Sequence, residues 1–403
     1  MEFVANTRAP SPSPLTEPEA QTIAADLRCR RWAGQLRAQP IAPTLETDYG
    51  ATIFAVGVRA QMNGPVRLKD IAKETGVHVS TVSRALDPNT RTSLSEELVK
   101  RIQGTADRLG YRPNRLASGL RTRRTMTIGL VIPDITNRLF PPIVRGVESV
   151  LEPEGYASII VNTDNQIERE AKLIDVLLER GVDGILHAAV ERTDTAVMDA
   201  IRRGVPVVTV NRQIEGASTP AVINDDASGI ELLARLLWEN GHRRIAQIAG
   251  PQNLSTGLTR RQAFDAAASR LGLALPPEAT VCARRFGEDE GRRCTEELLD
   301  AGWRFTAILC ANDRLALGAL SVLRERGIDC PADVSVTGFN DSSVLDLIPP
   351  GLTTVKVARF DAGALSARLL VQMLTQPTTR VPRTTIMPVS LVQRGSVGPA
   401  RPS

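Results

Sequence analysis

The residues best suited to chemistry come in small groups near the ends of short apolar runs: Asp134 and Asn137, Asn211 and Arg212, Asn224 to Asp226, Asn312 and Asp313, Asn340 and Asp341. Carboxylates, amides and a guanidinium are groups that orient a small polar ligand, and ligands of open α/β sheets sit beyond the carboxyl ends of strands. Helix caps and turns account for some of these positions. Catalytic equipment is scarce. The chain has three histidines (His78, His187 and His242) and lacks the spacings of a P-loop, a G-x-S-x-G elbow, a G-x-G-x-x-G turn or an H-E-x-x-H pair. Its five cysteines, at 29, 282, 294, 310 and 330, form no C-x-x-C pair and leave an odd count, which fits neither a disulfide framework nor a zinc site. The expectation is a binding protein without metal or cofactor.

The elements that must position these groups alternate. Apolar runs at 127–132, 157–161, 184–186, 207–210, 221–223, 245–249, 307–310 and 334–339 read as strands. Helical patterns lie among them at 140–151, 168–180, 195–203, 229–240, 262–271, 290–301 and 315–326. Such alternation predicts an α/β fold of parallel sheets with crossover helices, and the span is too long for one comfortable sheet, so two lobes are expected.

Ahead of this body the pattern and the charge both change. Residues 66–125 hold 13 basic and 6 acidic residues, whereas residues 126–403 hold 30 and 33, so the chain's net charge of +4 cancels a basic block against a slightly acidic body. A compact basic block suits nucleic-acid contact. Within it Leu68, Ile71 and Ala72 share one face, Thr75-Gly76-Val77 makes a break, and Val82, Ala85 and Leu86 share the face of a second short helix. A third helix begins after Ser95 with Glu96 and Glu97 and repeats Leu98, Ile102, Ala106 and Leu109. Two short helices around a glycine turn, buttressed by a third, form the helix-turn-helix pattern.

Residues 1–65 balance 6 basic against 6 acidic side chains and carry prolines at 10, 12, 14 and 18. They read as a flexible extension, or as an over-called start with Met62 as the alternative beginning. The first 21 residues have acids and prolines where a signal peptide needs an apolar segment, and no run of apolar residues reaches membrane-spanning length, so a soluble cytoplasmic protein without membrane contact is expected.

Several ordered motifs carry a family resemblance. Val66-Arg67-Leu68-Lys69-Asp70-Ile71-Ala72, continued by Gly76-Val77-His78-Val79-Ser80-Thr81-Val82-Ser83-Arg84-Ala85-Leu86, resembles the headpiece of the lactose-repressor/galactose-repressor family of bacterial transcriptional regulators. So does Leu109-Gly110-Tyr111-Arg112-Pro113-Asn114-Arg115-Leu116-Ala117-Ser118-Gly119-Leu120, and the match runs on through Gly338-Phe339-Asn340-Asp341 to Arg394-Gly395-Ser396. The resemblance implies a helix-turn-helix domain at 66–112, a hinge helix and linker at 113–125, a two-lobed periplasmic-binding-protein-like sensor at 126–396 and a tail at 397–403.

It also implies roles. Val79, Ser80 and Arg84 match positions that read bases in the major groove: Arg84 can pair with guanine in bidentate fashion, Ser80 can donate or accept, and Val79 can touch a thymine methyl. His78, Thr81 and Ser83 are placed for phosphates. Asn114, Ala117 and Leu120 match the hinge helix in the minor groove, with Leu120 as the apolar wedge. Asn137, Phe140, Asn211, Arg212, Arg260, Phe286, Asp313 and Asn340 match the effector cleft and suit a sugar-like ligand. Departures are Asn211 where the family often has Asp, Ala263 for Gly in Arg260-Arg261-Gln262-Ala263-Phe264, and Asn340 for the first Asp of Phe-Asp-Asp. The function implied is repression from a pseudo-palindromic DNA operator by a homodimer under control of a small polar effector. The tail carries no heptad, so a dimer rather than a tetramer is expected. A transport solute-binding protein shares the two lobes, but the basic headpiece argues against it; an enzyme would have to work with Asp and Arg alone.

Overall fold

A computed structural model describes residues 66–87, 90–112 and 124–401. It divides at Pro113 into two compact units. Among its described residues the first holds three α-helices, α1 (Leu68–Thr75), α2 (Val79–Leu86) and α3 (Glu96–Leu109), with a single 3-10 turn at Arg91–Ser93. Gly76 ends α1 in the left-handed region at φ 68° and donates its N–H to Ala72 O, a conformation that costs a side-chain-bearing residue more than glycine. Ile71, Ala72, Val82, Ala85, Val99, Ile102 and Ala106 form the core of this unit.

The second unit has two lobes. In the first, β1 (Thr127–Ile132), β2 (Ala157–Asn162), β3 (Gly184–His187), β4 (Val207–Val210), β5 (Ala221–Asn224) and β11 (Thr384–Met387) form a parallel sheet in the order β11-β5-β4-β3-β1-β2. The period-two alternation of β1 sends Ile128, Leu130 and Ile132 to one face, where they pack with α4 (Phe140–Leu151) and α11 (Arg359–Thr375). Val131 points to the other face, towards α5 (Ile167–Glu179) and α6 (Thr195–Arg202). At the crossing of α4 and α11, Gly146 and Gly363 leave no room for a Cβ against the carbonyls of Phe360 and Ile143.

The second lobe places β7 (Thr280–Cys282), β6 (Ile245–Ala249), β8 (Ala307–Cys310) and β9 (Ser335–Thr337) in that order in a parallel sheet. The helices α7 (Asp226–Glu239), α8 (Ser255–Leu271), α9 (Glu288–Asp300) and α10 (Asp313–Glu325) cover it. A final antiparallel pair, β10 (Thr354–Val357) with β12 (Val389–Val392), belongs to this lobe too. The chain therefore passes between lobes three times, at Asn224–Asp226, Val357–Arg359 and Met387–Val389.

The strand and helix ranges read from the sequence overlap these elements up to residue 339, but the helix read as 262–271 begins at Ser255 and that read as 229–240 at Asp226. Beyond residue 339 α11 and β10 to β12 add structure that the apolar pattern did not announce, as does β7. Residues 397–401 also bond to the second lobe: Ala400 N–H donates to Asn240 O at 2.8 Å and Arg401 pairs with Asp333. Among the described residues no helix is long and apolar enough to cross a membrane.

Candidate functional site

On α2, the 3.6-residue period buries Val82 and Ala85 and leaves Val79, Ser80, Ser83 and Arg84 exposed on the opposite face. Thr81 is half-buried at the edge of that face. His78 does more local work than its sequence position suggests. It is the N-cap of α2, its Nδ1 accepting from Ser80 N–H at 3.3 Å and lying 2.8 Å from Ser80 Oγ. Asn114, Ala117 and Leu120 lie outside the described residues.

In the second unit, a small cavity of about 20 Å³ is lined by Asn137, Leu139, Phe140, Asn211 and Arg212 from the first lobe and by Thr256, Arg260, Phe286, Asn312 and Asn340 from the second. Asn137 lies between β1 and α4, Phe140 opens α4, and Asn211 and Arg212 directly follow β4. Asn312 follows β8, and Asn340 comes shortly after β9. Strand carboxyl ends therefore aim at one point from both sheets.

Arg260 is the most tightly built of these groups. Its Nε and Nη2 donate to Asp226 Oδ1 at 3.0 and 2.7 Å, its Nη1 donates to Ala311 O at 2.7 Å, and its guanidinium lies 3.8 Å above the Phe339 ring. Gly229 makes room for that ring, since a Cβ there would lie 2.6 Å from Phe339 Cε2. Arg212 donates from Nη1 to Ala189 O at 3.0 Å, and burial lowers its pKa to about 10. Asn211 holds a left-handed backbone at φ 68° and accepts from Asn224 Nδ2 at 3.2 Å.

Three polar atoms of residues on the cavity wall have no partner among the described residues: Arg212 Nε, Thr256 Oγ1 and Asn340 Oδ1. Buried polar groups are normally bonded, so a donor, a hydroxyl and an acceptor left open on one small cavity describe the complement of a hydroxyl-rich ligand.

The lobes meet on both flanks of this cavity. On one, Arg314 Nη1 lies 2.8 Å from Asp134 Oδ2 while Nε and Nη2 hold Glu288. Partial burial would raise the Asp134 pKa, but hydrogen bonds from Thr136 and Arg314 outweigh it and hold it below its ordinary value. On the other flank, Arg192 N–H donates to Asn253 O at 2.9 Å and Asn253 Nδ2 donates to Glu191 Oε1 at 2.8 Å.

Two family models match the chain. Residues 67–114 match the model described as bacterial regulatory proteins of the lacI family, and residues 234–397 match a periplasmic binding protein-like domain. The HTH-type transcriptional regulator RegA of Clostridium saccharobutylicum is 32% identical over 77% of this chain and 92% of its own length. The ribose operon repressor of Escherichia coli K12 is 30% identical over 82% of this chain and 99% of its own. The lac repressor dimer bound to operator and the anti-inducer ONPF superposes with a TM-score of 0.73 at 25% identity, covering 83% and 100% of the two chains. The chain belongs to the LacI family.

It is thus a DNA-binding transcriptional regulator, and the solute-transport alternative falls away. Of the eight cleft residues expected for such a regulator, Asn137, Phe140, Asn211, Arg212, Arg260, Phe286 and Asn340 line the common cavity. Asp313 does not. Its Oδ1 accepts from Thr354 Oγ1 at 2.6 Å and its Oδ2 from Ser342 N–H at 2.7 Å, so both oxygens are spent on the second lobe. Burial pushes its carboxyl up to about 6. The N-cap of α10 is Asn312, which accepts from Leu315 N–H at 2.9 Å. Leu139 and Thr256 line the cavity without having been singled out for it, and Asn312, one of the strand-end polar groups, lines it without having been assigned to the effector; Thr256, inside the first turn of α8, had no signal.

Proposed function

We propose that this LacI-family regulator is a repressor that acts in the cytoplasm, occupying a pseudo-palindromic operator as a homodimer and answering to a sugar-like effector held between its lobes. The open hydrogen-bonding atoms of Arg212, Thr256 and Asn340 beside the rings of Phe140 and Phe286 carry the effector reading. The cavity as it stands, about 20 Å³, has room for roughly one water molecule, so a sugar enters only as the lobes move apart. On α2, Arg84 and Ser80 read base edges, Val79 contacts a thymine methyl, and His78, Thr81 and Ser83 set the phosphate register. The hinge segment with Asn114, Ala117 and Leu120 enters the minor groove.

Similar proteins support both halves of the reading. The ribose operon repressor is named for ribose control, and a solved transcriptional regulator with a TM-score of 0.63 at 30% identity holds cellobiose. The effector changes operator affinity only if it binds the two lobe arrangements unequally. The test is a thermal-shift screen of pentoses, hexoses and cellobiose, each repeated in an operator titration. A sugar that stabilises the chain and shifts operator affinity supports the reading. If none of them moves either quantity, the sugar-effector assignment fails.

A further inference from the structure

A second polar cluster in the first lobe has no part in the effector reading. Glu170 stands in the first turns of α5, His187 ends β3, and Asp194 caps α6 by accepting from Val197 N–H at 3.0 Å. All three are buried, and their ligating nitrogen and oxygen atoms lie within 4.8 Å of one another. His187 Nε2 is 3.3 Å from Glu170 Oε1, yet neither it nor Asp194 Oδ2 completes a hydrogen bond.

The backbone fixes what this cluster can hold. His187 Nδ1 accepts from Ala189 N–H at 3.2 Å, so the neutral ring carries its proton on Nε2, facing the carboxyl groups. A metal ion at Nε2 would have to displace that proton, and metal-bound imidazoles normally donate from their other nitrogen, which here must accept. The charged groups around the cluster are Glu170 from α5, Glu191 and Asp194 from the loop before α6, and Arg212 after β4, with Arg260 beyond it. Arg212 is shared with Glu191, so Glu170 and Asp194 together leave a negative charge uncompensated in a buried space. Two carboxyl groups so placed keep one proton between them.

We propose that Glu170 and Asp194 share one proton beneath the neutral imidazole of His187, and that this proton holds the loop that latches the cleft shut. The connection runs through three bonds. Ala189, two residues after His187, accepts from Arg212 Nη1, and Arg212 lines the effector cavity. Glu191 and Arg192, next along the loop, bond across to Asn253 of the other lobe. Glu170, Glu191 and Arg212 also line a neighbouring cavity whose far wall carries Arg284 and Phe286, so opening the lobes would bring water to the carboxyls and release the proton. Burial supports the same order: it raises Glu170 and lifts Asp194 to about 6, while it lowers His187 to about 4 and keeps the ring neutral. Tighter effector binding at lower pH follows, a consequence that rests on the cleft being the effector site.

The experiment compares the full-length wild type with Asp194→Asn, whose amide oxygen can still cap α6, between pH 5 and 7.5. Because the native pKa is raised, its stabilisation is greatest at low pH and is lost as pH rises through about 6. The wild-type folding equilibrium should therefore favour the native state about ten-fold more at pH 5 than at pH 7.5, relative to Asp194→Asn. Hydrogen exchange in the peptide 188–194, corrected for intrinsic rates, should lose protection over the same range in wild type only. Parallel denaturation profiles in the two proteins overturn the shared proton, and unchanged protection overturns the latch. Stoichiometric metal in the purified protein, or a zinc-dependent rise in Tm lost in Asp194→Asn, overturns it in favour of a cation site. Operator titrations test the regulator itself, and their outcome is independent of these melts.

Discussion

The exposed face of α2 and the cavity between the lobes, the two proposed recognition surfaces, hold their polar groups in opposite ways. On α2, Ser80, Ser83 and Arg84 stand in water, outside the core of their unit. In the cleft, Arg260 and Arg212 are 2% and 4% exposed and are tied into the protein by charge and hydrogen bonds. An exposed reader loses little solvation before its partner arrives, so its substitution should strike binding alone. A buried reader is part of the core, and its substitution should strike folding as well as binding.

The largest effect expected from this contrast is at Arg260. Arg260→Met removes the only ion-pair partner described for Asp226, which is itself buried, and leaves an uncompensated carboxylate at the start of α7. A loss of about 3 to 5 kcal/mol of stability is expected, measured by urea denaturation. A variant that melts like the wild type and merely binds effector less well would show that the cleft behaves as the α2 face does.

Arg84→Ala is the counterpart. Operator affinity should fall by about 1 to 3 kcal/mol with discrimination relaxed at one base pair, while stability stays within about 0.5 kcal/mol. Binding measured against a panel of single-base operator variants checks this. Uniform weakening across the panel would reassign Arg84 to phosphate contact.

This contrast also governs what could be read in advance. The α2 face follows from spacing alone, because Val82 and Ala85 mark the buried side and everything between them must face out. The strands near whose ends the cleft residues sit were equally legible, since β1, β4, β6 and β8 are apolar runs with both faces covered. What failed was α11. Ala362, Gly363, Ala364, Ser366, Ala367, Leu369 and Leu370 are all buried, so apolar and small residues surround the helix and blur the amphipathic period. The short edge elements β7, β10, β11 and β12 gave too few residues for a period to emerge. Asp313 was misplaced for a related reason. A strand-end acid reads the same whether it faces the cavity or the loop at Ser342, and only the partners Thr354 and Ser342 decide between them.

Asp313 offers a pH test of the same contrast. Its carboxyl is raised to about 6 by burial, so it detracts from stability increasingly as pH rises from 5 towards 7.5. Asp313→Asn keeps an acceptor for Thr354 Oγ1 and removes the charge. The variant should lose about 1 kcal/mol less than the wild type across that range in paired urea titrations. A variant whose pH profile parallels the wild type would mean that the two hydrogen bonds hold the acid near its ordinary value.

The smallest effect belongs to a group between the two extremes. Arg314 and Asp134 are each about a quarter exposed and join the lobes on one flank of the cleft. Such a pair is screened and is worth roughly 0.2 to 1 kcal/mol, so Arg314→Gln should leave folding almost unchanged. It should act instead on the balance between lobe arrangements, because Asp134 and Arg314 are on different lobes and their contact joins the two. With Asp134 and Glu288 no longer bridged, effector affinity should drop a few-fold at low ionic strength, and the gap should narrow as salt is added. Calorimetric titration of the effector at two salt concentrations separates this from a structural defect. If the loss is the same at both, the pair is a packing contact and the closed cleft is held by its buried network alone.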